Sequence, residues 1–425
     1  MTATTSPFFG ISYGWTTGEA GWGDPVNTNF QVMSFLDKGA VDVFVSSLPL
    51  SPVDGYSVVN TADKQIYVRF GAQWIFINPS KGMELTNLTD NTKFQFDGNS
   101  WVDVTKTLST VFKNTLKSSL SVVVASIAAL KALDKTIYNT ASVLGYYPST
   151  YVGGGTYSYD SADTTSVDNK GTIIVAADGG RWKLCSSNDL SVKQFGAKGD
   201  GSTNDYASIQ AALDFMVVQG GGILRFPAGT YKSNTTLLLN GTGTNQNSAN
   251  LVIQGAGMLV TKIDFSGAGV GTDGIQVTGA SRWIVDGLSV VSAKAIGINV
   301  NSTQSPGGST YVSRFSMKNI IVDGSVSHGI RFANTYMTEL ESIESRNNGG
   351  YGFYFEGNHT STTAIRCWAG GDTPNPGGGN GQGGWFLNGM LYSKFLGSAA
   401  DNNNGPGWRI SHCAGVDLSN CGSEG

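Results

Sequence analysis

The sequence predicts a mainly β protein: a right-handed, single-stranded parallel β-helix preceded by a small mixed N-terminal domain and a helical and β neck. Three observations predict it: a glycine recurring at set intervals, apolar residues alternating after each such glycine, and a composition poor in charge. Charged residues are 14% of the chain and 58 of its 425 residues are glycine, against roughly 25% charged and about 7% glycine in ordinary domains. That suits a strand-rich chain with many turns. With 40% apolar residues there is enough to bury, which excludes disorder.

The glycine register carries the argument. It reads Gly274-Ile-Gln-Val, Gly297-Ile-Asn-Val, Gly329-Ile-Arg-Phe, Gly352-Phe-Tyr-Phe, Gly384-Trp-Phe-Leu and Gly407-Trp-Arg-Ile, at intervals of 23, 32, 23, 32 and 23 residues. Periods of this length mark solenoids. The longer intervals hold Gly/Ser/Pro/Asn-rich stretches, Ser302–Thr310 and Asp372–Gln382, which belong in loops on one side of a stack. Strand side chains alternate, so the first and third residues after each glycine point inward. The second points outward, giving the column Gln276, Asn299, Arg331, Tyr354, Phe386, Arg409. Twelve residues before the glycine stands a second inward ladder, Val285, Met317, Leu340 and Phe395, with the coil before Gly384 as the exception. An antiparallel sandwich or propeller would not keep one register through six units. At the short interval the next glycine falls near position 430, beyond Gly425, with Leu418 already at the ladder position. The stack is therefore expected to continue past the given residues.

Upstream, residues 1–105 form the first region. Asp24-Pro25 opens a helix with Phe30, Met33 and Leu36 on one face, stopped by Gly39. The segments Gln65–Ile77 and Lys93–Val104 each read as two alternating strands around a glycine turn. In the second region, 106–190, residues 106–136 lack glycine and proline. They predict a helix, a candidate stalk of an oligomer. Residues 151–159 and 171–183 predict a short β unit. The third region is 191–425.

Partners and compartments are bounded by what the chain carries. A formal charge of −4 offers no basic surface for phosphate, which disfavours nucleic acid. The segment Met1–Pro7 has neither a basic start nor an apolar core, so no secretory leader is expected. No apolar run reaches membrane-spanning length. Cys185, Cys367, Cys413 and Cys421 show no metal-ligand spacing and read as buried reduced thiols from a reducing cytoplasm. His328, His359 and His412 form no metal or triad arrangement and read as surface or turn residues. Neither a metal nor a cofactor is expected.

The coils open with Val192-Lys-Gln-Phe-Gly-Ala-Lys-Gly-Asp-Gly-Ser-Thr-Asn-Asp-Tyr-Ala-Ser-Ile-Gln-Ala-Ala-Leu-Asp214, then Gly220-Gly-Gly-Ile-Leu-Arg-Phe-Pro-Ala-Gly-Thr-Tyr231. This predicts strand, glycine turn, Asn/Asp-capped helix and strand, with Tyr206, Ile209, Leu213 and Met216 sealing the core. Asp200 and Asp205 take turn and cap roles. These residues resemble the pectate-lyase-like parallel β-helices of bacteriophage tailspikes and capsule depolymerases, although Asn204 replaces the first of the usual paired Asp. Ile127–Asp134, Thr156–Val175 and Arg181-Trp-Lys183 are similar to the same spikes. The resemblance covers about 120–425 and, more loosely, 1–105. It implies a homotrimer, made in the host cytoplasm and carried on the virion, attached to the phage tail or baseplate through residues 1–105. It also implies an outer face that binds and degrades a bacterial capsular polysaccharide or lipopolysaccharide O-antigen.

Glycoside hydrolysis needs two carboxyl groups, ~5–5.5 Å apart for retention or ~6.5–9.5 Å for inversion. Equivalent positions on adjacent coils lie about 4.8 Å apart. Six residues before the glycine, the column reads Val291, Asp323, Arg346, Gly378, Asp401, Glu424. Asp401 and Glu424 become neighbours whose repulsion would hold one protonated, and Asp323 faces Arg346 as an ion pair. Glu341 and Glu344 are further candidate acids. Lyase chemistry would instead need charge neutralisation at a uronate, for which Arg331 and Arg409 are candidates. Sugar binding favours aromatic faces flanked by polar groups, which selects Tyr354, Glu356, Trp368 and Phe386. Phe386 or Trp368 alternatively packs against a neighbouring subunit.

Overall fold

The computed structural model describes residues 4–5, 12–13, 39–53, 55–70, 72–105, 121–241, 250–302, 312–371 and 378–424. The chain divides into two compact units, Met1–Ser119 and Leu120–Gly425. In the first, both expected hairpins form. Ile66–Phe70 pairs antiparallel with Gln73–Ile77, and Lys93–Phe96 with Trp101–Asp103. They extend two four-stranded sheets around Val41, Val59, Ile66, Val68, Ile77 and Leu85. The helix expected from Asp24 lies outside the described residues, as does 106–120 of the expected stalk.

The second unit begins with a correction to that stalk. Ser121–Val124 is a strand parallel to Thr140–Gly145, and among the described residues 121–136 only Ile127–Lys131 is helical. Three consecutive valines explain this, since β-branched side chains stiffen χ1 and favour extended backbone. Ser126 caps the short helix by accepting from Ala129 N. With Gly153–Asp160, Ile173–Val175 and Arg181–Leu184 the segment forms a five-stranded sheet over Tyr157 and Trp182.

From Asp189 onward every strand pair among the described residues is parallel, which excludes an antiparallel sandwich or propeller for this region. Each coil contributes to three faces. Face A stacks Leu237–Asn240, Ile275–Thr278, Ile298–Asn301, Ile330–Ala333, Tyr351–Glu356, Gly383–Asn388 and Trp408–Ser411. Faces B and C share the long strands Ile284–Val291, Ser313–Asp323 and Tyr336–Arg346, which pair with different segments at their two ends. Between the two ends lies a column of left-handed residues, Gly287, Asn319, Ser342, Arg366, Gly397 and Asn420. One such residue per coil turns the strand without breaking the pairing on either side.

Face A keeps the predicted register: Ile275, Ile298, Ile330, Phe353, Trp385 and Trp408 lie one above another. Phe353 and Trp385 stack at 3.8 Å, and Trp385 and Trp408 at 4.8 Å. The second ladder is Val285, Met317, Leu340, Ala364, Phe395 and Leu418, so Ala364 fills the expected gap. The register glycines are required by space. A Cβ on Gly384 would meet Gly407 O at 2.6 Å and the Ala400 methyl at 2.7 Å.

The opening segment differs in detail. Val192–Phe195 is a 3-10 helix, capped by Ser191 and Gln194. The helix Tyr206–Gln219 buries Ile209, Leu213 and Met216 against the coil core, with Tyr206 packed beside them. Asp205 stands at its start, but its carboxylate accepts from Lys198 N and Gly199 N, fastening the preceding loop. Asp200 has the turn role expected of it, accepting from Ser202 N and Thr203 N. Among the described residues no helix is long and apolar enough to cross a membrane.

Candidate functional site

The ten candidate side chains are distributed over all three faces. Face A carries Arg331, Tyr354, Phe386 and Arg409 in one outward column, each paired in register with the next. The rings form a row. His328 lies on Tyr354 with centroids 4.0 Å apart, Tyr354 lies on Phe386 at 4.8 Å, and Arg409 sits over Phe386 at 5.2 Å. Tyr351 flanks the row, 5.4 Å from Phe386. Together His328, Tyr351, Tyr354, Gln382, Phe386 and Arg409 line an open hollow of about 590 Å³.

A polar chain fixes one end of this row. Arg331 Nε donates to Glu356 Oε1 at 2.8 Å and Arg331 Nη1 to Asn299 Oδ1 at 2.9 Å. Asn299 in turn donates to Asp273 at 2.7 Å. Partial burial, with the charge of Glu356 and a hydrogen bond to it, raises the Tyr354 phenol above its usual range. Burial lowers His328 below the usual imidazole range, opposed by Glu356 and assisted by Arg331. His328 Nδ1 accepts from Tyr351 N at 3.0 Å, which leaves Nε2 to carry the ring proton in the neutral form. A ring row with a donor-rich edge can hold a flat, hydroxylated ligand.

Sequence reasoning missed His328, Tyr351 and Gln382. For His328 and Tyr351 the signal was available: the position before each register glycine reads Asp273, Ile296, His328, Tyr351, Gly383, Pro406, a column beside the outward one. Gln382 lies outside it and had no such signal.

Face C carries the other cluster. Glu344 pairs in register with Trp368, whose indole N–H donates to Asp401 Oδ2 at 2.8 Å. Asp401 and Glu424 are register partners on adjacent coils, as the spacing predicted. Asp323 and Arg346 form the expected ion pair at 3.2 Å, and Arg346 also lies 3.6 Å from Glu344. One member of the column is corrected: Gly370, not Gly378, stands between Arg346 and Asp401. The insertion falls after this strand, whereas counting back from Gly384 put it before. Glu341 lies on face B, bound to Arg366 at 2.5 Å and Lys318 at 3.6 Å.

The remaining candidates are also placed. His359 is no surface residue: it is buried in the core, its Nδ1 2.9 Å from the Thr335 hydroxyl. Cys367 is buried, Cys413 and Cys421 are half-buried, and Cys185 is exposed, against the expectation of burial. Among the described residues no cluster of His, Cys, Asp and Glu has metal-holding geometry.

Two segments of the chain match models of known protein families. Residues 123–187 match the family model described as the phage tail protein small four-stranded beta-sheet domain, and they contain four of the five strands in full. Residues 190–370 match rhamnogalacturonase A/epimerase, pectate lyase-like. Full-length tailspike protein 2 of Escherichia coli O157:H7 bacteriophage CAB120 aligns with a TM-score of 0.55 at 16% identity, over 93% of this chain and 53% of that one. The chain has a tailspike fold. The gp42 tailspike of Acinetobacter phage vb_AbaP_AS12 aligns with a TM-score of 0.54 at 18% identity, over 72% and 57% of the two chains. Among curated proteins, mannuronan C5-epimerase AlgE4 of Azotobacter vinelandii is 29% identical over 178 residues, 39% of this chain and 27% of the relative. The chain thus spans about half of that first tailspike and about a quarter of this epimerase.

Proposed function

We propose that this chain is a phage tailspike that binds and degrades a bacterial surface polysaccharide, capsule or O-antigen, along the outside of a right-handed parallel β-helix. Right-handedness follows the near-universal hand of parallel crossovers. In this reading residues 1–105 attach the spike to the virion, 106–190 form a linker and neck, and 191–425 form the β-helix of a homotrimer. The observation that carries it is the stacked row His328, Tyr354, Phe386 on face A, ending in Arg409. The stacked rings cover one another's faces and turn their edges outward, and a row of apolar edges beside polar groups matches the C–H and hydroxyl pattern of pyranose rings. The likeness to tailspike structures and to a polysaccharide-modifying epimerase supports the same substrate class.

Cleavage is assigned to hydrolysis by Asp401 and Glu424, carboxylates one strand spacing apart. Glu341 and Glu344 serve as ion-pair partners in this reading, because each is neutralised by an arginine. Incubating the spike with capsule or lipopolysaccharide of an infected strain tests the proposal: oligosaccharides are released. No shortening of any polysaccharide of that strain would overturn it.

A second reading is a receptor-binding spike without catalysis. It is favoured by the separation of the two clusters, since the ring row is on face A and the carboxylate pair on face C. Under it, Asp401→Asn and Glu344→Gln spikes bind host cells unchanged and wild type releases nothing.

A further inference from the structure

The cations of the coil stack are not equivalent. Arg225 is held by Asp189, Arg331 by Glu356, Arg346 by Asp323 and Arg366 by Glu341. In each case a carboxylate cancels the charge. Arg409 differs. Its contacts are the face of Phe386 at 5.2 Å and the phenol oxygen of Tyr351 at 3.5 Å. Both are neutral groups, and among the described residues no carboxylate lies within ion-pair distance of it. The hollow repeats this pattern, because among the described residues its lining includes one arginine and no Asp or Glu.

We propose that the Arg409 end of the hollow is a subsite for the carboxylate of an acidic sugar, its ring lying along Phe386 and Tyr354. This rests on the reading of face A as the glycan-contacting face and names the substrate class for it. A guanidinium presents paired donors that match a carboxylate. An aromatic ring under its face fixes the plane of the fork without neutralising it. Arg331 does not compete for the anion, because Glu356 already occupies it. Neutral His328, Tyr351 and Gln382 leave hydrogen-bonding groups for hydroxyls rather than a second charge. The ring row spans three strand spacings, roughly 14 Å, which suits a short oligosaccharide with its acid group at one end.

The test uses two polymers in which every sugar carries a carboxylate, polymannuronate and polygalacturonate, each native and after carboxyl reduction. Binding to the complete spike is measured by titration calorimetry at low salt. The expected result is binding of at least one native polymer, weakened at least tenfold by carboxyl reduction. Arg409→Gln should lower binding of the native polymer to the reduced level while leaving the reduced level unchanged. Equal binding of native and reduced polymers, an undiminished preference in Arg409→Gln, or no binding of either native polymer overturns the subsite. Tyr354→Ala separates the two failures. If it weakens retention of host polysaccharide while the Arg409 effect is absent, face A remains the glycan face and only the anionic subsite falls. If it too has no effect on host polysaccharide, both fall.

Discussion

The imidazole of His328 lies flat on the phenol ring of Tyr354, with centroids 4.0 Å apart and planes 5° from parallel. The two residues come from adjacent coils, so the stack exists only because the parallel register places them together. Tyr354 therefore contributes both a ligand surface and a support for its neighbour. Tyr354→Ala should weaken polysaccharide binding by about 2 kcal/mol, the scale of an aromatic hot spot, or ~30-fold in Kd. Affinity electrophoresis in gels containing host polysaccharide checks this. Near-normal retardation would remove Tyr354 from the binding surface.

Asp401→Asn separates binding from cleavage. Loss of an acid or base group costs typically 10²–10⁴ in rate, so oligosaccharide release should fall by at least ~10² with affinity retained. A fall in affinity at constant turnover would instead make the Asp401–Trp368 hydrogen bond part of a binding surface.

Trp385 is fully buried between Phe353 and Trp408. Trp385→Ala opens a cavity in the bore and should cost about 3–5 kcal/mol. The change is read as a lower midpoint of denaturant unfolding. Trp385→Phe should lose much less, because it keeps the stack.

Acid should weaken the coil core. Burial pushes His359 down to about 4, so the native state refuses a proton that the unfolded chain accepts below roughly pH 6.5. Stability rises with pH wherever the unfolded state binds more protons. The stability present at neutral pH is therefore lost as pH falls from about 6.5 towards 4, by about 3 kcal/mol. His328, also lowered, acts in the same direction. Unfolding midpoints at pH 7 and pH 4.5 should show the loss in wild type and a smaller loss in His359→Gln.

Much of this architecture was legible because space, rather than propensity, dictates the register glycines. Gly352 and Gly384 face the Ala369 and Ala400 methyls of face C and the backbone of the next coil. A residue fixed for that reason recurs with the coil, and the outward column, the Asp323–Arg346 pair and the Asp401–Glu424 pair followed from it. The reading failed where the period did not reach. Counting across the Asp372–Gln382 insertion chose Gly378 where Gly370 stands, since a count cannot locate an insertion within a coil. The valine strand at 121–124 was hidden by helix formers after it. His359 gave no hint of burial, because its Thr335 partner lies in the preceding coil, 24 residues away.

The central claim is that sugar rings lie against the outward column of face A. A structure of the complete spike with an oligosaccharide of its host polysaccharide tests this most directly. The expected result is sugar density lying against the outer edges of Tyr354 and Phe386, with Arg409 within hydrogen-bond reach. Well-defined sugar on face B or face C, with the ring row of face A bare, would contradict it.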